Sequence, residues 1–171
     1  MNDPIVIVDY DADWPDEFER LRARAASAVG KLALAIEHVG STAVPGLAAK
    51  PVIDLVVVVA SGDVAAAIER LEEIGYVHVG DLGIDGRDAF DPPPGETRHH
   101  LYVSPEGTEA LRAQLAFRDA LRRSPQLATD YEELKRELAV RFRDDRRGYT
   151  EAKTDFVTRA SRSSPPASPS R

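Results

Sequence analysis

His38-Val-Gly-Ser-Thr-Ala-Val-Pro-Gly-Leu-Ala-Ala-Lys-Pro-Val-Ile-Asp-Leu-Val-Val-Val-Val59 is the stretch on which the fold turns. It runs from a glycine-serine turn through small residues to a lysine-proline pair, and then to Val52–Val59, which is apolar except for Asp54. Valines on both faces of that run predict a strand covered on both sides. An ionised carboxylate in such a strand carries a large desolvation cost unless it is paired, metal-bound or open to a cleft. Ahead of it, Gly40 and Gly46 relax the backbone so that amide groups can point at a ligand. Ser41 and Thr42 add hydroxyls and Lys50 adds a charge, which together make a phosphate cradle. Two structural alternatives use the same residues. Ser41 or Thr42 would cap the following turn, and Asp54 would pair with Lys50, Arg98 or a backbone amide in a structural ion pair.

Working outward, Ile5 to Val8 reads as a short edge strand. Asp13 offers a helix cap, and Trp14, Phe18, Leu21, Ala25, Val29 and Leu32 follow at helical spacing. Ala35 to Val39 predicts a strand ending at Gly40. Asp63 caps a second helix with Val64, Ile68 and Leu71 inward, and Gly75 stops it. Tyr76 to Val79 is a further strand. Gly80 to Glu96, which contains Asp91-Pro-Pro-Pro-Gly95, predicts a surface loop with a short extended piece around Ile84 to Phe90.

Arg98 to Val103 returns as a strand. Period-two alternation puts Arg98, His100 and Tyr102 on one face, turned to the cleft, and His99, Leu101 and Val103 on the other. Imidazole there can serve as metal ligand or proton carrier. Beyond it the pattern is helical. Glu109 to Arg123 is one helix, Ser124-Pro125 breaks it, and Leu127, Tyr131, Leu134, Leu138 and Phe142 mark a second. Thr150 caps a third, with Phe156, Val157 and Ala160 inward. Basic and aromatic residues recur along these helices. They read as core with solvated faces, or else Arg118, Lys135 and Lys153 overhang the cleft. Residues 161–171, rich in Ser, Pro and Arg, cannot bury a core and predict a disordered tail after a single domain of residues 1–160.

The 171 residues fit one domain, and 43% hydrophobic with 30% charged residues is an ordinary globular composition. A net charge of -7 argues against general nucleic-acid binding while leaving a local nucleotide pocket open. There is no cysteine, hence no disulfide or thiolate metal site. No secretion signal opens the chain and no apolar run is long enough for a membrane span, so a cytoplasmic protein is expected. The element order predicts an α/β (α+β) domain, a small mixed sheet flanked by helices with a C-terminal helical segment.

The motif Glu37-His-Val-Gly-Ser-Thr-Ala-Val-Pro-Gly-Leu-Ala-Ala-Lys-Pro-Val-Ile-Asp54 resembles the signature of the GrpB family, within the nucleotidyltransferase fold superfamily. Further landmarks resemble the family in order: Val8-Asp-Tyr-Asp-Ala-Asp-Trp14, His99-His-Leu-Tyr-Val103, Phe117-Arg-Asp-Ala-Leu121, Tyr131-Glu-Glu-Leu-Lys135 and Tyr149-Thr-Glu-Ala-Lys153. The resemblance implies a nucleotidyltransferase-type sheet. In that superfamily a Gly-Ser turn holds the phosphates of a nucleoside triphosphate, and two carboxylates spaced i and i+2 hold Mg²⁺ for an in-line displacement. Gly40 and Ser41 match the turn and Asp54 matches the first carboxylate. Val56 stands where the second would be, and the later strand offers His100 and Tyr102 in place of an acid.

Asp54 and His100 are therefore the expected catalytic pair, or the ligands of a single divalent cation, and Asp54 could instead orient His38 or Lys50. His38, Gly40, Ser41, Thr42, Lys50 and Arg98 are the expected ligand-binding residues. The functional expectation is a nucleotide or other phosphorylated ligand, with metal-dependent nucleotidyl transfer. The alternative is a non-catalytic binding or regulatory module that lost the full metal site, and a third reading is a purely structural domain. Family relatives joined to a dephospho-coenzyme A kinase domain suggest a coenzyme or nucleotide context.

Overall fold

The computed structural model describes residues 4–162. The first helix, α1 (Trp14–Val29), buries Trp14, Phe18, Leu21, Ala25 and Val29 along one stripe. It stops three residues short of Leu32, because Gly30 turns the chain at φ 59° and a single 3₁₀ turn follows. Next come strands β1 (Ala33–Val39) and β2 (Ile53–Val59), helix α2 (Val64–Glu73), and strands β3 (Val77–Gly80), β4 (Asp88–Asp91) and β5 (His99–Pro105). Helices α3 (Glu109–Arg123), α4 (Pro125–Arg141) and α5 (Arg146–Arg162) complete the described chain.

The five strands form one mixed sheet in the order β1-β2-β5-β4-β3. Strands β2 and β5 are parallel and every other neighbouring pair is antiparallel. The valine-rich β2 thus lies between β1 and β5, which explains why both its faces are apolar. Ile53, Leu55, Val57 and Val59 join Phe18, Leu21 and Leu71 in the main core, under α1 and α2. Val56 and Val58 face the other way and pack with Val39 and Leu111 beneath α3. Asp54 shares that second face, at the start of the strand. In the parallel register it stands beside His100, and Val56 beside Tyr102.

Several boundaries differ from the sequence reading. Ile5 to Val8 is not a strand; only a single bridge joins Val8 to Ala49. Its partner is an irregular loop, so no ladder can extend. The extended piece expected around Ile84 to Phe90 is the strand Asp88–Asp91. Helix α5 begins at Arg146 rather than after Thr150, because the Asp145 carboxylate accepts from the Gly148 amide at 2.9 Å and takes the capping role. The helix also continues through Ser161 and Arg162, the first two residues of the expected tail. There the Ser161 hydroxyl donates to the Val157 carbonyl at 2.8 Å. The remainder of that tail, residues 163–171, lies outside the described residues.

Candidate functional site

The turn between β1 and β2 is fixed by two constraints at Gly40. Its φ of 75° favours glycine, and a Cβ built there would lie 2.4 Å from Asp54 Oδ2. The chain then makes a 3₁₀ turn over Ser41–Ala43. Thr42 is buried and its hydroxyl is spent on structure, donating to the Val52 carbonyl at 3.4 Å and meeting His38 Nε2 at 3.0 Å. His38 itself stacks on Phe18, with ring centroids 4.5 Å apart. Burial depresses its pKa to about 4, so it is a neutral ring that braces the turn and lies outside the cleft lining.

Asp54 and His100 meet directly, Nδ1 to Oδ1 at 2.7 Å, with side chains 25% and 50% exposed. Asp54 thus orients His100, not His38. His99 faces the other side of the strand, held between the Tyr76 hydroxyl at 2.8 Å and the Thr97 carbonyl at 2.6 Å.

Around this pair opens a cleft of about 260 Å³ lined by Ser41, Thr42, Lys50, Asp54, Arg98 and His100. The far wall comes from the C-terminal helices: Lys135 of α4, and Arg146, Tyr149, Thr150 and Lys153 of α5. Gly40 and Tyr102 line a neighbouring, mostly apolar pocket that shares Asp54 and includes Val39, Gln114, Phe117 and Val157.

The electrostatics of the cleft are dominated by cations. The Lys50 and Lys153 ammonium groups lie 4.4 and 4.2 Å from the centroid of one ring, that of Tyr149. Burial lowers the Lys153 pKa to about 8, with Lys50 pushing it down further and Asp54 opposing. Burial also lowers that of Lys50, helped by Arg146 and Arg98. Lys135 is only 2% exposed. It donates to the Ala48 carbonyl and sits 4.8 Å from the Tyr131 ring. Burial, then the charge of Lys153, brings its pKa down to about 7.

Of the three overhanging cations considered from sequence, Lys135 and Lys153 reach the cleft and Arg118 does not. Arg118 ties α3 to β1 through Glu37 Oε2 at 2.7 Å and the His38 carbonyl at 3.0 Å. Arg146 is the cleft cation that the sequence reading missed. The signal was a helical stripe, since Arg146, Tyr149, Thr150 and Lys153 recur at steps of three and four.

These residues do not fit a protein-held divalent cation. Asp54 is the sole carboxylate of the lining, and Oδ1 already accepts from His100. No cluster of three or more His, Asp or Glu suited to a metal exists among the described residues. Mg²⁺ needs an oxygen-rich octahedral shell, and five lysine and arginine side chains line the same space.

Fold and site together define a mixed-sheet α/β protein whose C-terminal helices wall a cationic cleft beside one Asp–His pair. The chain belongs to the GrpB family, whose model, described as GrpB protein, matches residues 4–163. The crystal structure of the conserved protein GrpB from Enterococcus faecalis superposes with a TM-score of 0.82 at 33% identity, covering 92% of this chain and 95% of that one. UPF0157 protein YqkA of Bacillus subtilis is 32% identical over 91% of this chain, which spans only 46% of the YqkA length. A dephospho-CoA kinase of Mycolicibacterium paratuberculosis is 32% identical over 93% of this chain and 46% of its own length. Cid1, in complex with a UTP analogue, matches at 14% identity and a TM-score of 0.42, too distant a likeness to speak for ligand or reaction. Among the described residues no helix is long and apolar enough to cross a membrane.

Proposed function

We propose that the cleft binds a small phosphorylated molecule, a nucleotide being the ligand class that the family resemblance suggests. The observation that carries this reading is the convergence of Lys50, Arg98, Lys135, Arg146 and Lys153 around a space with a single carboxylate. Cations that line one partly enclosed cleft are suited to pair with an anion of several charges through charge-assisted hydrogen bonds. The apolar pocket beyond Asp54 gives the uncharged part of such a ligand a place to lie.

A second reading, that the cleft also catalyses group transfer, is favoured by the Asp54–His100 bond. A carboxylate on Nδ1 holds the imidazole in one tautomer and leaves Nε2 free to take a proton from an attacking hydroxyl. The two-carboxylate, two-metal route has no support in this donor set. Thermal unfolding against a panel of nucleotides and phosphorylated coenzymes, with and without Mg²⁺ or Mn²⁺, tests the binding reading, since a ligand of the native state raises the midpoint. A midpoint that no phosphorylated compound moves contradicts it. Pyrophosphate release from a stabilising triphosphate, lost in His100→Gln, separates the enzyme from the binding module.

A further inference from the structure

We propose that the cleft takes a ligand with two or more linked phosphate groups and binds it without a divalent cation, Lys50 and Lys153 supplying the countercharge. This rests on the reading of the cleft as a phosphate site and specifies how that site is charged.

Three observations lead there. The place where a second metal-binding carboxylate would stand is Val56, which is fully buried against Val39 and Leu111, so that part of the face is closed to any ion. Asp54, the remaining carboxylate, is engaged with His100 at 2.7 Å.

The third is the lysine pair. Two ammonium groups lie within 4.4 Å of the centroid of one aromatic ring, with Lys135 in the wall behind. The charge of Lys50 counts against the proton on Lys153, so the two repel, more strongly in a half-buried cleft than in water. A divalent cation would add to that repulsion, whereas an anion relieves it. One phosphate group can lie against one ammonium, but linked phosphates can meet Lys50 and Lys153 together and present further oxygens to the Ser41 turn. Tyr149, buried at 1% exposure, is the ring that both ammonium groups share.

The test is calorimetric titration of the full chain with inorganic tripolyphosphate, in chelator and again in excess Mg²⁺. Binding in chelator, unchanged or weakened by Mg²⁺, is expected, because the metal neutralises the ligand. Lys153→Met should weaken it by about ten- to a hundred-fold, the loss of one charge-assisted contact. Lys31→Met, in the 3₁₀ turn after α1 and outside the cleft, should leave it unchanged and serves as the folded control. Binding that appears only with Mg²⁺ overturns this inference and leaves the phosphate reading standing. No binding under either condition, for tripolyphosphate or any nucleotide, overturns both. Orthophosphate binding as tightly as tripolyphosphate overturns the requirement for linked groups.

Discussion

At Lys135 an ammonium group is enclosed by Tyr131, the Ala48 carbonyl and the turn that α4 holds. The charged groups acting on it are Lys153 and Arg136, which disfavour its proton, and Glu132, which favours it. Its folded pKa of about 7 lies below the unfolded value near 10.4, so between those limits the unfolded chain binds more protons. Stability from this group is therefore lowest below about pH 7 and rises with pH through that window. Lys153, at about 8, acts in the same direction. Urea unfolding at about pH 6.5 and pH 9.5 should show a gain for wild type that is smaller in Lys135→Met by on the order of 1 kcal/mol. An equal gain in both contradicts the assignment. Anion binding has the opposite sign. Sulfate, whose charge is constant over this range, should bind more weakly as pH rises through about 7 to 8 and the two lysines lose their protons.

Gly40 offers a second residue-scale test through its contrast with Gly46. Both have positive φ, 75° and 80°, so alanine at either position carries about 1–2 kcal/mol of backbone strain. Nothing lies within 4 Å of a Cβ at Gly46, whereas one at Gly40 collides with the Asp54 carboxylate. Gly40→Ala should therefore destabilise by about 1–3 kcal/mol more than Gly46→Ala in chemical denaturation, the cost of overpacking. Equal losses would show that Asp54 moves aside freely.

At the scale of elements, the cleft depends on α5 being placed as a unit. Its stripe of Arg146, Tyr149, Thr150 and Lys153 faces the sheet turn, while Phe156 stacks on Tyr131 with centroids 5.2 Å apart. Asp145 caps the helix start, so Asp145→Ala should cost about 1 kcal/mol of stability and weaken tripolyphosphate binding by loosening the first turn. Unchanged binding would mean that α5 is held by its packing alone.

The strands that carry the site were legible in the sequence. The valine run marked β2, alternation put His100 and Tyr102 on one face, and helical spacing gave α3 its bounds. The missed features have tertiary causes. The Asp145 cap competes with Thr150, a weaker but still favoured capping residue, and spacing alone does not decide between them. The bridge from Val8 reaches an irregular loop that no periodic pattern reveals. Thr42 and His38, both credible ligand groups by type, are spent on bracing the turn, and only their partners show it. Arg146 belongs to an arginine-rich stretch in which composition does not single out one residue.

Across the whole molecule, charge is segregated. The chain carries a net charge of -7, yet the cleft lining holds five lysines and arginines and one carboxylate. On the proposed reading, a small anion meets a local cationic field within an overall negative one. Contacts with half-exposed groups such as His100 should weaken with ionic strength more than those with the buried Lys135.

The central claim is that protein cations, and not a carboxylate-held metal, charge this cleft. The effect of Asp54→Asn on tripolyphosphate affinity tests it most directly, because the two accounts predict opposite signs. Measurement below about pH 7 keeps both Lys135 and Lys153 protonated. Removing the sole carboxylate from a cationic lining should leave binding unchanged or make it tighter, with or without Mg²⁺. A marked loss of affinity in the presence of Mg²⁺, with the variant otherwise as stable as wild type, would make Asp54 a metal ligand and contradict the account.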